Sequence, residues 1–380
     1  MRQNFSILLN GSHPEYLVKL RGPLIKALIA DGWEVHVTSP ALDGDMRKAL
    51  ADFGAKAYEV PLDRRGLGIV ADLGYLLALI KLSRKIRPSI VLGYTIKPNI
   101  FGSMAARLTG LPSAIMVTGL GFAFMPAKSR LGEVMRAMMR KLYRLATAGN
   151  CLVIFQNEDD RTDFIAAGSL AEPEKARIIA GSGVDTRHFA PLPLPAEPAF
   201  LMISRLLGNK GVREYVEASA ILRSKGLTSP FRLAGFLDHG ADSISQRELD
   251  EWVGGGLEFI GKLDDVRPAL EQASVYVLPS YREGTPRTIL EAMSTGRAVI
   301  TTDAPGCRET VIHGHNGLIV PVGNADKLAD AMRKLASAPA TVHAMGKASR
   351  LLAEEKYDVV AVNAAIIAYL KEALARTHPT

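Results

Sequence analysis

The chain has 380 residues, of which 48% are hydrophobic, and this is enough for two ordinary domains with separate cores. Its net charge of +7 is uneven: residues 1–150 contain 21 lysines and arginines against 10 aspartates and glutamates, and the remainder contains 25 against 29. A basic first half favours an acidic partner. Because no zinc-ligand spacing or other nucleic-acid signature accompanies it, we expect anionic lipid or a lipid diphosphate and no nucleic acid.

Three features concern the compartment. Cys151 and Cys307 lie far apart, each beside a predicted strand, so we expect two free thiols in a reducing compartment. The first residues, MRQNFSILLN, lack the long apolar core of a signal peptide. Residues 108–127 carry no charge and are long enough to span a bilayer, but they are interrupted by Pro112, Gly119, Gly121 and Pro126. A strand followed by a loop is therefore expected there.

Short apolar segments alternate with amphipathic segments from the amino terminus onward. This alternation predicts a parallel sheet with helices on both faces, which binds ligands at the carboxyl ends of its strands. The predicted strands are 6–9, 34–38, 55–60, 89–94, 113–118, 151–156 and 177–180, and the predicted helices are 16–30, 45–53, 68–86, 99–108 and 131–146.

Residues 186–198, TRHFAPLPLPAEP, are rich in proline and predict a linker. The alternation restarts behind it, so we expect two α/β domains, 1–185 and 199–355, that face each other across a deep interdomain cleft. The last stretch, 356–380, has little to pair with in the second sheet and could return to the first domain. The second domain has predicted strands at 200–204, 231–235, 258–260, 275–279, 298–302 and 318–320 and predicted helices at 213–223, 266–273, 286–294 and 325–336.

The segment 131–146 combines an apolar and a basic stripe at helical spacing. Two interpretations stay open: a domain helix with a core side and a solvated basic side, or a surface for anionic lipid headgroups or a lipid-diphosphate acceptor. The basic first half favours the second, with the uncharged loop 122–125 entering the interface. The apolar stripe comprises Leu131, Val134, Met135, Met138, Leu142 and Leu145, and the basic stripe, expected to face the membrane, comprises Arg136, Arg140 and Arg144.

The stretch 280–316 carries two glutamates, Glu283 and Glu291, around a predicted helix start. Thr285 suits the N-cap and Pro286 the first helical position. Glu291 then lies roughly 7 Å along the helix from Pro286. The exposed N–H groups and the positive helix end lie between the two carboxylates, which suits a nucleotide-sugar diphosphate. A capped surface helix with two solvated glutamates explains the spacing equally well.

The segment SRLLGNKG, 204–211, follows a predicted strand and precedes a predicted helix. It contains Arg205 and Lys210. A guanidinium can hold a diphosphate by bidentate hydrogen bonding and an ammonium can hold it as a point charge. Two solvated loop cations are the alternative, but their place at the carboxyl end of a strand favours a binding role.

Four segments in a fixed order, SRLLGNKG, FIGKLDD, VLPSYREGTPRTILEAMSTGRAVITTDAPGCRETV and HGHNGLIVPVG, resemble family-4 retaining glycosyltransferases of the GT-B fold. They cover nearly all of residues 199–325. The segment YTIKPNIFGSMAARLTGLPSAIMVTGLGFAF, 94–124, resembles a bacterial subgroup that builds polyprenyl-diphosphate-linked glycans. The resemblance implies two Rossmann-like domains and transfer of a hexose or N-acetylhexosamine from a nucleotide sugar, most often UDP-linked, to a lipid-linked saccharide.

The resemblance also implies roles for individual residues. Arg205 and Lys210 would bind the donor diphosphate and stabilise it as the leaving group, since charge grows on its oxygens as the glycosidic bond breaks. Glu283 would contact the donor sugar and stabilise positive charge at the anomeric carbon, and Glu291 would hold the ribose hydroxyls. Gly261, Lys262 and Leu263 would line the base, and Gly284, Thr285, Pro286 and Arg287 would approach the sugar and phosphates.

The resemblance implies no cofactor and no catalytic metal, and the sequence is consistent with this, because its eight histidines are scattered and form no metal-ligand cluster. Retention implies front-face attack, with the donor phosphate assisting removal of the acceptor proton. Two segments depart from the family pattern. The first loop, NGSHPEY, keeps Gly11 for close backbone approach, but His13 is unusual and either faces the acceptor or is solvated. A histidine that many members carry is absent, so Thr118 and Gly119 are expected to line the cleft.

Two other functions share this architecture. One is a hydrolysing UDP-sugar 2-epimerase. The other is a non-catalytic, two-lobed sugar-binding module, against which the cations and glutamates argue, because a pure binder needs no leaving-group stabilisation. The expected location is the cytoplasmic face of the membrane, with peripheral attachment.

Overall fold

The computed structural model describes residues 5–63, 68–124, 130–238, 240 and 242–377, and of four of these (Tyr16, Phe122, Ala123 and Leu131) only the backbone. The chain divides into two compact units. The first unit is Met1–Ser182 with Val360–Thr380, and the second unit is Gly183–Val359. Each contains one parallel sheet, as the strand–helix alternation predicts.

The sheet of the first unit has the order β3-β2-β1-β4-β5-β6-β7. All its strand pairs are parallel. The order reverses between β1 and β4, which places a switch point at their carboxyl ends. The strands are β1 (Ser6–Asn10), β2 (Glu34–Ser39), β3 (Lys56–Glu59), β4 (Ile90–Tyr94), β5 (Ser113–Val117), β6 (Leu152–Phe155) and β7 (Ala176–Ile178), within two residues of the prediction at each end.

The helices of the first unit cover both faces of this sheet. The predicted helix 16–30 is two helices, because Gly22 and Pro23 start a new one after Arg21. The helices are α1 (Pro14–Lys19), α2 (Gly22–Ala30), α3 (Gly44–Phe53), α4 (Ile69–Ile86), α5 (Ile96–Thr109), α6 (Arg130–Thr147) and α7 (Glu158–Ala166). Helix α7 is absent from the predicted helices; Asn157 caps it by accepting the N–H of Asp160 at 2.7 Å.

The second unit repeats the plan with the strand order β10-β9-β8-β11-β12-β13. Its switch point lies between β8 and β11. The strands are β8 (Phe200–Ile203), β9 (Phe231–Ala234), β10 (Glu258–Gly261), β11 (Val275–Leu278), β12 (Ala298–Thr302) and β13 (Gly317–Val320). The helices are α8 (Val212–Ser224), α9 (Gln246–Gly254), α10 (Arg267–Glu271), α11 (Arg287–Ser294), α12 (Ala325–Ala336) and α13 (Pro339–Lys356), of which the sequence analysis missed α9 and α13.

The last helix, α14 (Val359–Thr377), belongs to the first unit from Val360 onward. Its Ile366 and Leu370 are buried in one core cluster with Leu24 and Leu28 of α2. The chain therefore ends by completing the core of the unit in which it began.

Two arginines, the buried Arg297 and the half-buried Arg350, hold the proline-rich segment 186–198 on the second unit. Arg297 is fully buried and donates to the carbonyls of Leu192 and Pro193. Arg350 donates at 2.9 Å to the carbonyls of Thr186 and Phe189. Burial lowers the pKa of Arg297 to about 10. The segment is thus fixed by charge-assisted hydrogen bonds to backbone oxygens.

The predicted sides of α6 are wrong. Its core side contains Met139 and Tyr143, and the Tyr143 ring packs edge-on against Phe164 at 5.0 Å. Val134, Met138 and Leu145, expected in the core, are exposed. The segment holds two apolar stripes, and the one with the aromatic residue fills the space beside α7.

The three arginines of α6 therefore do not form one outward stripe. Arg136 is only 14% exposed and pairs with Glu133 at 2.7 Å. Arg140 is half-buried, and exposed Arg144 donates to the carbonyl of Gly168 at 3.2 Å. In the loop expected beside them, Met125 and the side chains at 122 and 123 lie outside the described residues.

The charge-free stretch 108–127 contains β5 and a short 3₁₀ turn, Gly121–Phe124. Residues 125–127 lie outside the described part. Among the helices that the structure describes, none combines the length and the apolar character needed to cross a bilayer. Cys151 and Cys307 are both free thiols, as predicted.

Candidate active site

The loop after β8 brings Lys210 to the switch point of the second sheet. The loop contains a 3₁₀ turn, Gly208–Lys210, and Gly211 follows it with a φ of +75°. A side chain at Gly211 would collide with the carbonyl of Pro279, so only glycine permits this approach. The carbonyl of Asn209 accepts the N–H of Tyr281 at 2.9 Å. Backbone contacts thus join the loops after β8 and β11.

Lys210 and Glu283 form an ion pair at this junction. The Lys210 ammonium lies 2.5 Å from Oε1 of Glu283, and the two side chains are only 17% and 15% exposed. The sequence predicts both residues near a donor, but it does not indicate that they pair with each other. Because both charges have lost most of their water, removing either partner would leave the other charge mostly buried and uncompensated.

Arg205 lies at the same sheet edge, close to β9. Its guanidinium is 3.0 Å from Oδ2 of Asp238, and about half of its side chain is exposed. Asp238, which the sequence analysis missed, follows β9, the neighbour of β8 in the sheet. The contact with the Asp238 carboxylate therefore holds the Arg205 guanidinium at the carboxyl edge of the second sheet.

The amino terminus of α11 differs by one residue from the prediction. The helix begins at Arg287, and Pro286 occupies the N-cap with extended backbone angles, in place of Thr285. Proline has no side-chain acceptor for the first N–H groups of the helix. The geometry therefore leaves the positive end of α11 without the usual cap from its N-cap side chain.

Glu291 lies on the first turns of α11 and is almost fully buried. Arg287 donates from Nε to its Oε1 at 2.8 Å, four residues away on the same helix. Burial raises the pKa of Glu291, and the positive charge of Arg287 opposes that rise. Arg287 thus fixes the orientation of this carboxylate, a role that the sequence analysis did not assign to it.

Gly306, which the sequence analysis also missed, lies directly behind Glu283. The N–H of Glu283 donates to the carbonyl of Pro305 at 2.9 Å. Gly306 has a φ of +78°, and a Cβ there would collide with the carbonyls of Glu283 and Gly284. The turn after β12 therefore packs against the backbone that presents Glu283.

A surface pocket of about 440 Å³ adjoins the predicted base-binding turn. Gly261 and Lys262 form part of its wall, Leu263 follows half-buried, and the N–H of Gly235 donates to the carbonyl of Gly261 at 2.8 Å. The Lys262 ammonium lies 5.7 Å from the centre of the Phe236 ring. The other wall residues are Leu237, Gln246, Leu249, Asp250, Val253 and Phe259.

In the first unit, the structure brings the predicted acceptor-side residues to one sheet edge. Gly11 follows β1, and a side chain there would collide with the buried Tyr94 ring. Thr118 and Gly119 follow β5, and half-buried His13 precedes α1. The edge also contains a pair that the sequence analysis missed: the hydroxyls of Ser12 and Thr95 are 2.7 Å apart. Thr95 has a φ of +75° and a ψ of 159°, a region populated almost only by glycine.

Two family models match the chain. "Glycosyl transferase 4-like" matches residues 6–157, and "Glycosyl transferases group 1" matches residues 197–338. The chain belongs to the family-4 glycosyltransferases.

Two relatives match most of the chain. The N,N'-diacetylbacillosaminyl-diphospho-undecaprenol α-1,3-N-acetylgalactosaminyltransferase of Campylobacter jejuni is 29% identical, over 82% of this chain and 84% of its own. The UDP-Gal:α-D-GlcNAc-diphosphoundecaprenol α-1,3-galactosyltransferase of Escherichia coli is 28% identical, over 74% of this chain and 75% of its own.

Solved structures share the fold. Anabaena HepE in complex with UDP-glucose superposes with a TM-score of 0.77 at 20% identity, over 97% of this chain and all of that one. The sucrose-phosphate synthase of Thermosynechococcus elongatus superposes with a TM-score of 0.81 at 18% identity, over 98% of this chain and all of its own. The two Rossmann-like units are therefore those of the GT-B fold.

Proposed function

We propose that the protein transfers a hexose or N-acetylhexosamine from a UDP-linked sugar to a saccharide carried on a polyprenyl diphosphate. The observation that carries this proposal is the Lys210–Glu283 ion pair beside the amino terminus of α11. It places an ammonium, a carboxylate and the positive end of a helix within one small region, as a sugar diphosphate requires. Two relatives whose names specify undecaprenol-diphosphate acceptors support the acceptor class.

The diphosphate binds to Lys210, Arg205 and the first amides of α11. As the bond to the sugar breaks, negative charge grows on the leaving oxygen, and these groups stabilise it without reorganising. Lys210 then lies between Glu283 and the phosphate. Its contact with Glu283 holds that carboxylate close to the anomeric carbon, where positive charge develops.

The nucleoside of the donor binds beside the Lys210–Glu283 pair. Glu291, oriented by Arg287, accepts hydrogen bonds from the ribose hydroxyls. The turn at Gly261, Lys262 and Leu263 lines the base. The backbone from Gly284 to Arg287 approaches the phosphates and the sugar at the positive end of α11, where the N-cap residue is a proline.

The transfer retains the anomeric configuration and needs no metal. The acceptor attacks from the face that the diphosphate leaves, and a phosphate oxygen takes the acceptor proton. Two protein cations supply the charge stabilisation that a metal ion otherwise gives. Proton NMR of the newly formed linkage tests retention, and activity in the presence of EDTA tests metal independence. An inverted linkage, or activity restored only by a divalent ion, would contradict these two points.

The first unit binds the acceptor through the edge at Gly11, His13, Thr118 and Gly119. Hydroxyls and backbone amides suit a neutral saccharide better than charged groups do. The enzyme works at the cytoplasmic face of the membrane and associates with it peripherally. Support comes from the excess of basic residues in 1–150, which an anionic leaflet attracts.

A radiolabelled-donor assay tests the proposal against its alternatives. The full chain is incubated with UDP-GlcNAc, UDP-GalNAc or UDP-galactose and a polyprenyl-diphosphate saccharide, and label is measured in the organic phase. We expect transfer that depends on the acceptor. Conversion of UDP-GlcNAc to another sugar without acceptor would indicate the 2-epimerase, and donor binding without turnover on any acceptor would indicate a binding module.

A further inference from the structure

Helix α4 exposes a line of large apolar side chains. Ile69 and Val70 in its first turn are 83% and 85% exposed, and Leu73 and Leu77 are 53% and 57% exposed. The opposite side, with Tyr75 and Leu79, is buried against α5. Core packing does not account for these four residues, because a different side of the helix already packs in the core.

The same line continues with cations. At a spacing of four residues, Ile69, Leu73 and Leu77 are followed by Lys81 and Lys85, both exposed, and exposed Arg84 lies beside them. The one acidic residue of α4, Asp72, is mostly buried and paired with Lys97. The outer side of α4 thus combines apolar and positively charged groups without an exposed acid.

Helix α6 repeats this composition on the same face of the sheet. It packs, like α4, against α5, which lies between the two. Its outer side carries Val134, Met138 and Leu145 together with Lys141 and Arg144. Unlike α4 it also exposes one acid, Glu133, which is paired with Arg136. Two helices of one layer therefore expose apolar and basic side chains.

We infer that the outer side of α4 enters an anionic bilayer, with its first two turns at the acyl boundary and Lys81, Arg84 and Lys85 among the headgroups. An anionic bilayer offers both an apolar interior and negative charge, which matches both halves of this line. The apolar half lies at the start of α4, hence at the carboxyl edge of the sheet, where Thr95 and Thr118 also lie. The inference rests on the proposed function in one respect: this edge is then turned toward the bilayer that carries the acceptor.

Vesicle flotation of the full chain tests this inference. Leu73→Glu with Leu77→Glu should weaken binding to phosphatidylglycerol vesicles about tenfold or more, because two charges then face the acyl region. Lys81→Glu with Lys85→Glu should weaken binding and reduce its salt dependence. Thermal midpoints should not change, since all four side chains are exposed.

Leu108→Glu is the matched control, because Leu108 is 62% exposed in the same unit but lies at the end of α5, on the opposite sheet edge. It should bind vesicles as the unsubstituted chain does. Unchanged binding by the Leu73 and Leu77 variant would overturn the inference. The inference would also be overturned if analytical sedimentation showed a dimer of the unsubstituted chain that dissociates in this variant, because the apolar line would then be an interface between copies.

Transfer to a short-chain, water-soluble acceptor separates this inference from the proposed function. The Leu73 and Leu77 variant should retain that activity and lose transfer to acceptor embedded in vesicles. If the unsubstituted chain binds vesicles but transfers sugar to neither acceptor, the proposed function fails and the surface inference stands.

Discussion

The carboxyl edges of the two sheets differ in the residues that follow their strands. At the second edge, cations and carboxylates are held in defined pairs: Lys210 with Glu283, Arg205 with Asp238 and Arg287 with Glu291. At the first edge, the residues directly after β1, β4 and β5 are Gly11, Ser12, Thr95, Thr118 and Gly119. One mostly buried pair, Lys97 with Asp72, also lies at this edge, at the starts of α5 and α4. Pre-paired charges can accept a diphosphate with little reorganisation, whereas hydroxyls and glycines suit a neutral saccharide.

The strongest way to break this contrast is to remove the cation at its centre. Lys210→Ala should reduce kcat/KM by about 2–4 kcal/mol, as loss of one group that stabilises a developing oxyanion does. It also leaves Glu283 mostly buried without its ammonium, so Glu283→Gln should recover part of the thermal stability that Lys210→Ala loses. Steady-state kinetics and thermal unfolding of both single variants and the double variant measure these effects.

Lys225→Ala is the control for lost positive charge, because Lys225 is exposed at the end of α8. It should keep full activity. Turnover of Lys210→Ala at the level of this control would refute the proposed role of Lys210.

The next largest effect comes from the backbone behind Glu283. Gly306→Ala forces a Cβ against two carbonyls and should shift Glu283, with a loss of about 1–3 kcal/mol in kcat/KM. Gly314→Ala is a matched control, because Gly314 has a φ of +81° and open space around its Cβ position. Both variants carry the same backbone strain, but only Gly306→Ala should lower kcat/KM. Equal kinetic effects of the two would mean that the contact with Glu283 is irrelevant.

At the second edge, the sequence predicts the charged residues but not how they pair. The residues Arg205, Lys210, Glu283 and Glu291 were predicted from their places beside a strand end and a helix start, together with the family resemblance of the segments that contain them. Their pairing was not found, because it depends on which loops meet at the switch point. The helices α9 and α13 were missed although Ser245 with Glu248 forms a capping box and α13 starts with a proline.

The first edge and α6 show where sequence patterns become ambiguous. Two apolar stripes on one helix are equivalent in the sequence, and tertiary packing of Tyr143 against Phe164 selected between them. The unusual backbone of Thr95 gives no sequence signal, since threonine is a poor residue for that conformation. The sequence predicts the helix at 68–86 but not its exposed apolar side chains, because their exposure depends on how α4 packs against α5.

A smaller effect sharpens the contrast through pH. Burial raises the pKa of Glu291 above the ordinary 4.5, so its carboxylate should become protonated, and donor affinity should fall, at a higher pH than an exposed glutamate would allow. Glu291→Gln should weaken donor binding at neutral pH about tenfold, roughly 1.4 kcal/mol, and abolish this acid-side decline. Calorimetric titration with UDP between mildly acidic and neutral pH measures both.

The free energy of unfolding should depend on the protonation of Glu291 in the opposite direction from donor affinity. A raised folded pKa means that the folded chain binds this proton more tightly than the unfolded chain. The contribution to the free energy of unfolding is therefore present at low pH and is lost as the pH rises toward the folded pKa. A donor affinity that is as pH-dependent in Glu291→Gln as in the unsubstituted chain would assign the titration to another group.

The smallest effect concerns Thr95 at the first edge. Its backbone conformation costs about 1–3 kcal/mol for a non-glycine residue, and its hydroxyl contact with Ser12 recovers about 1 kcal/mol. Thr95→Gly should therefore leave stability unchanged or slightly raised, but should increase KM for the acceptor, because a hydroxyl of the binding edge is lost.

Arg87→Gly provides the comparison, because Arg87 has a φ of +51° but is exposed at the end of α4, at the other edge of the sheet. It should raise the thermal midpoint without any change in KM. If Thr95→Gly leaves the acceptor KM as unchanged as Arg87→Gly does, the strained residue has no part in acceptor binding. The contrast between the edges would then rest on the paired charges of the second unit alone.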